Sequence, residues 1–136
     1  SGPLLDRMDI QIELGAVRPS DLSLPPAKES SADVAQRVAA ARDIQRKRFG
    51  ALGKPNLRTN AEADGNLLEE IATPDAPGLK LLREADSMNL SARGYHRVLR
   101  VARTLADLDA RTEIARIHIA EALSYRQRLA SFQIAA

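Results

Sequence analysis

Four arginines, Arg93, Arg97, Arg100 and Arg103, crowd into residues 90–108, which carry no acid before Asp107. Arginine is suited to holding phosphate, because its planar fork donates paired bonds and keeps its charge. The spacing predicts a helix with two opposed faces. Tyr95, Val98, Leu99, Ala102, Leu105 and Ala106 follow the i, i+3, i+4, i+7 rule and form an apolar stripe. The arginines fall on the other side. Ser91 fits an N-cap, with Leu90 and Tyr95 placed as a hydrophobic staple. Arg93 then stands in the first turn, where a helix N-terminus adds positive potential for an anion. Arg7, closing the run Ser1-Gly2-Pro3-Leu4-Leu5-Asp6-Arg7, is a further candidate. Plainer readings stand beside these. The face is a solvated basic surface, Arg7 pairs with Asp6 or Asp9, and Arg97, Arg100 and Arg103 meet solvent or a part of the protein outside this chain.

Other chemistries are poorly supplied. With no cysteine, there is no disulfide, thiolate nucleophile or Cys-based zinc site. His96 and His118 have no carboxylate or second histidine at ligand spacing, so both read as surface histidines and no metal site is expected. They do not support a Ser-His-Asp arrangement. No G-x-x-x-x-G-K-[ST] loop is present. Twenty basic residues against 18 acidic ones leave a net charge of +2, too balanced to argue nucleic-acid binding from charge alone. No apolar run approaches the roughly 20 residues of a membrane span, and no secretory signal is visible, so a cytoplasmic location is expected.

The elements that must position the arginines are mostly helical. Hydrophobic residues make up 44% of the 136, aromatics only 3%, so the core must come from Leu, Ile, Val and Ala. Residues 8–14 alternate apolar and polar, a half-buried strand pattern ended by Gly15. No second strand of comparable strength follows, so its sheet must lie elsewhere and the chain reads as cut from a longer protein. Residues 17–30 read as a linker. Ser30-Ser31 caps a helix over about 32–49, with Val34, Val38, Ala41, Ile44 and Phe49 towards one side and Arg42, Arg46, Lys47 and Arg48 complementing its C-terminal dipole. Gly50 and Gly53 end it. After a loop at 50–64 come a short helix from Asn66 to Ile71, a helix over about 76–88, the arginine-bearing helix, a connection at 109–113 and a last helix from Ile114 to about Leu129. Ile114, Ile117, Ala120 and Leu123 are expected on its buried face. The expected fold is all-α: a small helical bundle at 31–130, preceded over 1–30 by one orphan strand and a flexible linker, and followed by a loose tail at 131–136.

Taken together, these stretches resemble the Mg-chelatase-like branch of AAA+ ATPases, the ComM/YifB group. The carriers are Ser1 to Arg7 ahead of the strand, Glu29-Ser30-Ser31 leading to Arg37-Val38, Ala41-Arg42, Gln45 and Arg48-Phe49, the run Leu90-Ser91-Ala92-Arg93 to Ala106-Asp107-Leu108, and Ile119 to Leu123 with Tyr125-Arg126. Residues 50–80 match only around Pro55-Asn56. The resemblance implies a lid-type bundle that follows an N-terminal α/β core carrying the phosphate loop and the metal-binding acidic motif. It implies that Arg7 is an arginine finger acting in trans on the neighbouring subunit's ATP. It implies that Arg93 is the sensor-2 arginine, with Arg97 a second nucleotide-contacting candidate. ATP and Mg would belong to the full-length parent, an ATP hydrolase, and none is expected on this chain alone. The implied partners are the protein's own core and neighbouring subunits of a homo-oligomer, taken as a hexamer, with DNA for the parent and no membrane. The implied task is ATP-driven DNA remodelling such as branch migration. The alternative is a stand-alone helical DNA-binding or protein-interaction module.

Overall fold

The computed structural model describes residues 2–87 and 90–134, with side chains from Pro3 to Ser87 and from Leu90 to Arg126. Ser1, Met88 at the end of the expected third helix, Asn89, and the last two residues of the expected tail lie outside the described residues. Among the described residues there are six α-helices and no paired strand. They are α1 (Gly2–Leu5), α2 (Ser31–Ala51), α3 (Gly65–Ile71), α4 (Ala76–Asp86), α5 (Ala92–Leu108) and α6 (Arg116–Ile134). Short 3-10 turns lie at Pro19–Ser23 and Asn60–Glu62. The all-α bundle expected from the sequence is the architecture observed.

Local signals set the helix ends. Ser30 accepts from the Asp33 amide at 3.2 Å while the Asp33 carboxylate accepts from the Ser30 amide at 2.8 Å, a reciprocal capping box. At the other end of α2, the Lys54 amide donates to Phe49 and the Gly53 amide to Gly50, the paired bonds of a Schellman ending. Gly53 has φ +70°, a conformation that favours glycine. Ser91 caps α5 through the Gly94 amide at 3.0 Å, and Asp75 caps α4 through the Gly78 amide at 2.7 Å.

Helix α5 is the centre of the bundle. Val98, Leu99, Ala102 and Ala106 are buried, as the stripe requires, against Phe49 of α2, Leu68 and Ile71 of α3, Leu82 of α4, and Ile119, Ala122 and Leu123 of α6. Leu99→Ala should therefore cost about 2–5 kcal/mol. Arg100, whose guanidinium reaches the Ala63 carbonyl and the exposed Asp64, should cost only about 1 kcal/mol as alanine. Urea denaturation of the two variants checks this facing of the helix.

Three expectations change. Residues 8–14 form no strand: with no second strand to exchange backbone bonds, the alternating side chains stay out, Leu14 being 86% exposed. In α6 the buried face is turned: Ile119, Ala122 and Leu123 point in, while Ala120 is exposed and Ile117 is 69% exposed. Ile114 is buried too, but ahead of the helix, so it does not share the helical phase. His118, expected at the surface, is buried. Its Nδ1 accepts from the Ala115 amide at 3.0 Å and its Nε2 lies 2.8 Å from an Asp109 carboxylate oxygen. That pattern fits the neutral ring with its proton on Nε2, fully bonded although buried. A further departure is in α2. Its second half packs through Ala41, Gln45 and Phe49, whereas residues 31–40 are all exposed. No described helix is long and apolar enough to cross a membrane.

Candidate functional site

The arginines of α5 do not share one environment. Arg103 is buried rather than solvated. Its Nε donates to the Asp107 carboxylate at 3.2 Å, and its two terminal nitrogens donate to the carbonyls of Thr112 at 2.8 Å and Arg111 at 2.7 Å. Burial draws this guanidinium below its ordinary pKa, partly offset by the carboxylate. Asp107 also takes a two-pronged bond from Arg48 of α2, with one prong at 3.1 Å, and a bond from Asn60 at 2.9 Å. Arg48 thus joins α2 to α5 instead of merely complementing a helix dipole. Arg100 serves the α3 end of the bundle, as described above.

Arg97 pairs with Asp9, reaching back to the segment ahead of the bundle. Arg126 of α6 does the same: one nitrogen donates to Asp6 at 2.8 Å, the other to the Met8 carbonyl at 3.2 Å. The Ser91 hydroxyl lies 3.3 Å from the same Asp6 carboxylate. So residues 6–9 are held at the N-terminal end of α5. Asp6 and Asp9 are engaged by Arg126 and Arg97, not by Arg7. Gly94 makes room for this arrangement. A Cβ there would lie 3.3 Å from an Arg126 nitrogen, 3.2 Å from the Ser91 hydroxyl and 3.1 Å from a Leu90 methyl. Glycine inside a helix costs about 1 kcal/mol relative to alanine, so its place in α5 has a packing reason.

Arg7 and Arg93 behave differently from these. Both are exposed, and neither makes a side-chain hydrogen bond or ion pair among the described residues. Arg7 follows the residue tied to Ser91, and Arg93 lies two positions after Ser91. Two uncommitted guanidiniums therefore flank the positive end of α5. Each is available to donate to phosphate oxygens. They do not fit a metal: among the described residues no group of three or more His, Asp or Glu is placed to hold one. A cleft of about 260 Å³ between α3, α4 and α5 is lined by Ala72, Pro74, Leu79, Tyr95 and Leu99, with Glu69 at its rim. Its charge is wrong for phosphate.

The sequence offered Asp6 and Asp9 only as partners for Arg7, and it did not show their pairing with Arg126 and Arg97. The partners are 88 and 120 positions apart, and nothing local announces such a pair.

Residues 28–126 match the family model described as magnesium chelatase, subunit ChlI C-terminal. An uncharacterized protein of Mycobacterium tuberculosis is 43% identical over 128 residues, 93% of this chain and 25% of its own length. The uncharacterized protein YifB of Escherichia coli is 39% identical over 128 residues, and the competence protein ComM of Haemophilus influenzae 36% over 127, each covering 93% of this chain and 24% of the relative. The chain spans about a quarter of the length of the curated relatives it matches. The arginine-faced α5, its Ser91 cap and α6 as far as Arg126 lie inside the matched region, and the chain belongs to the Mg-chelatase-like ComM/YifB family as its C-terminal region.

Proposed function

We propose that this chain is the helical lid of a Mg-chelatase-like AAA+ ATPase, sensing ATP through Arg93 and presenting Arg7 to the neighbouring subunit. The observation that carries the reading is the sorting of the arginines on α5 and packed against it, other exposed arginines lying elsewhere on the chain. Arg48, Arg97, Arg100, Arg103 and Arg126 are committed to partners within the domain, while Arg7 and Arg93 stand exposed beside the N-terminus of α5. Phosphoryl transfer passes through a loose transition state with charge on the equatorial oxygens, which needs fixed cations around it. ATP with Mg would supply the transferable phosphoryl group and the metal charge. This chain's part is to place Arg93 against the nucleotide of its own subunit and Arg7 against the one next door.

The wider task, ATP-driven remodelling of DNA by a hexameric ring, rests on the likeness to the ComM group, one member of which is named a competence protein. A stand-alone DNA-binding module is the weaker reading. Phosphate-backbone binding needs a row of available cations, and the α5 row is largely paired internally.

By itself the chain should bind ATP weakly and hydrolyse none, because two side-chain cations do not replace a cradle of backbone N–H groups. Equilibrium dialysis and a phosphate-release assay on the 136-residue chain test this. Turnover by the pure chain would overturn the lid reading. In the whole protein, Arg93→Ala should depress ATP hydrolysis, whereas Arg83→Ala, at an exposed position on α4, should not.

A further inference from the structure

The segment ahead of the bundle is held by polar contacts from two different helices. Arg126 of α6 grips both a side chain and a carbonyl of residues 6–8, Arg97 of α5 takes Asp9, and the α5 cap Ser91 touches Asp6. Within the segment, the Gln11 side chain donates to the Leu5 carbonyl at 3.2 Å, and the Arg7 and Met8 amides donate to Leu4 and Leu5, so the backbone around Arg7 is itself folded. The Arg126 side chain is only 11% exposed and that of Arg97 18%, while their partners Asp6 and Asp9 are 31% and 41% exposed, so each pair is buried on the arginine side and open to water on the other. The bidentate grip of an arginine fixes direction as well as distance.

We infer that Asp6, Asp9, Arg97 and Arg126 form a clasp that makes Arg7 and Arg93 move as one body. They are positioning residues: none need touch nucleotide. A displacement of α5, when Arg93 engages phosphate, is carried through Ser91, Arg97 and Arg126 to the segment bearing Arg7. The state of one nucleotide site would thereby set the placement of the arginine offered to the next. The inference rests on the proposed roles of Arg7 and Arg93, although the clasp can be tested without them.

The chain has no cysteine, so spin labels can be placed at Ile10→Cys and Glu84→Cys, both exposed positions, on an otherwise unsubstituted chain. The distance between them should be a single narrow distribution. A broad one overturns the clasp without any clasp variant having been made. Asp6→Asn combined with Arg97→Met should broaden it several-fold, while the helical circular dichroism stays unchanged. A distribution that stays narrow in a folded double variant also overturns the clasp.

In the whole protein, Asp6→Asn and Arg126→Met should each lower kcat for ATP about tenfold with KM unchanged, as loss of an interaction made only in the transition state does. Arg126→Lys, which keeps the charge, should retain more kcat than Arg126→Met. If Arg7→Ala abolishes hydrolysis but Asp6→Asn and Arg126→Met leave kcat intact, the clasp fails and the lid reading stands. If Arg7→Ala leaves kcat intact, the lid reading fails, and the label distances alone decide the clasp.

Discussion

Asp107→Ala should destabilise the domain by about 3–5 kcal/mol, the largest loss expected from any single truncation of a polar group here. The carboxylate is 1% exposed and is the shared acceptor for Arg48, Asn60 and Arg103. Its removal leaves two guanidiniums facing each other with no counter-charge, in a place water hardly reaches. It also frees the clamp through which Arg103 holds residues 111 and 112 and Arg48 holds α2. A small domain has about 5–15 kcal/mol in total, so the variant should be near its unfolding limit at room temperature. Asp107→Asn, which keeps one acceptor, should fall between. Asp86→Ala, at an exposed position at the end of α4, should change stability by about 0.5 kcal/mol or less. Denaturant midpoints for the three variants decide it. Equal losses for Asp107→Ala and Asp86→Ala would mean that the network carries no stability.

That network marks the limit of what could be read from the chain. The apolar stripe of α5, its Ser91 cap, the Ser30 cap and the glycine ending of α2 were all legible, because each is set by residues within a turn or two of one another. The phase of α6 was not. In Ile114 to Leu123 two interleaved sets of small and branched apolar residues each satisfy helical spacing. The observed phase buries His118, whose bonds with the Ala115 amide and Asp109 form only once the helix start is in place. The alternation at 8–14 suggested a strand that the structure does not form, because a pattern cannot supply the partner strand. For the candidate site, Arg7 and Arg93 stood out by type and position. What separates them from Arg97 and Arg103 is pairing across the chain, which spacing alone does not reveal.

Arg7→Ala in the whole protein should lower ATP hydrolysis by about 10³–10⁵-fold, the range for an arginine finger, or about 4–7 kcal/mol of transition-state stabilisation. Arg93→Ala should lower it by about 10²–10³-fold, as loss of one preorganised donor does. The residues differ in which site they serve. On the proposed assignment, Arg7 would serve the nucleotide of the neighbour and Arg93 that of its own subunit. Steady-state hydrolysis on assembled protein, with assembly verified by size, reads both losses. Arg83→Ala at full rate shows that loss of a surface cation is not the cause.

The most direct test of this assignment is to mix subunits. Protein carrying Arg7→Ala is combined with protein whose phosphate-loop lysine has been replaced, each inactive as a homo-oligomer, under conditions where subunits exchange. Some mixed interfaces then join an intact nucleotide site to an intact Arg7 from next door, and hydrolysis should return. Arg93→Ala combined with the same lysine variant should stay inactive, since no subunit then keeps both groups that serve its own nucleotide. Return of activity in the first mixture and not the second is the result expected of a lid that senses in cis and offers its arginine in trans. Equal recovery in both mixtures, or none in the first, would contradict it.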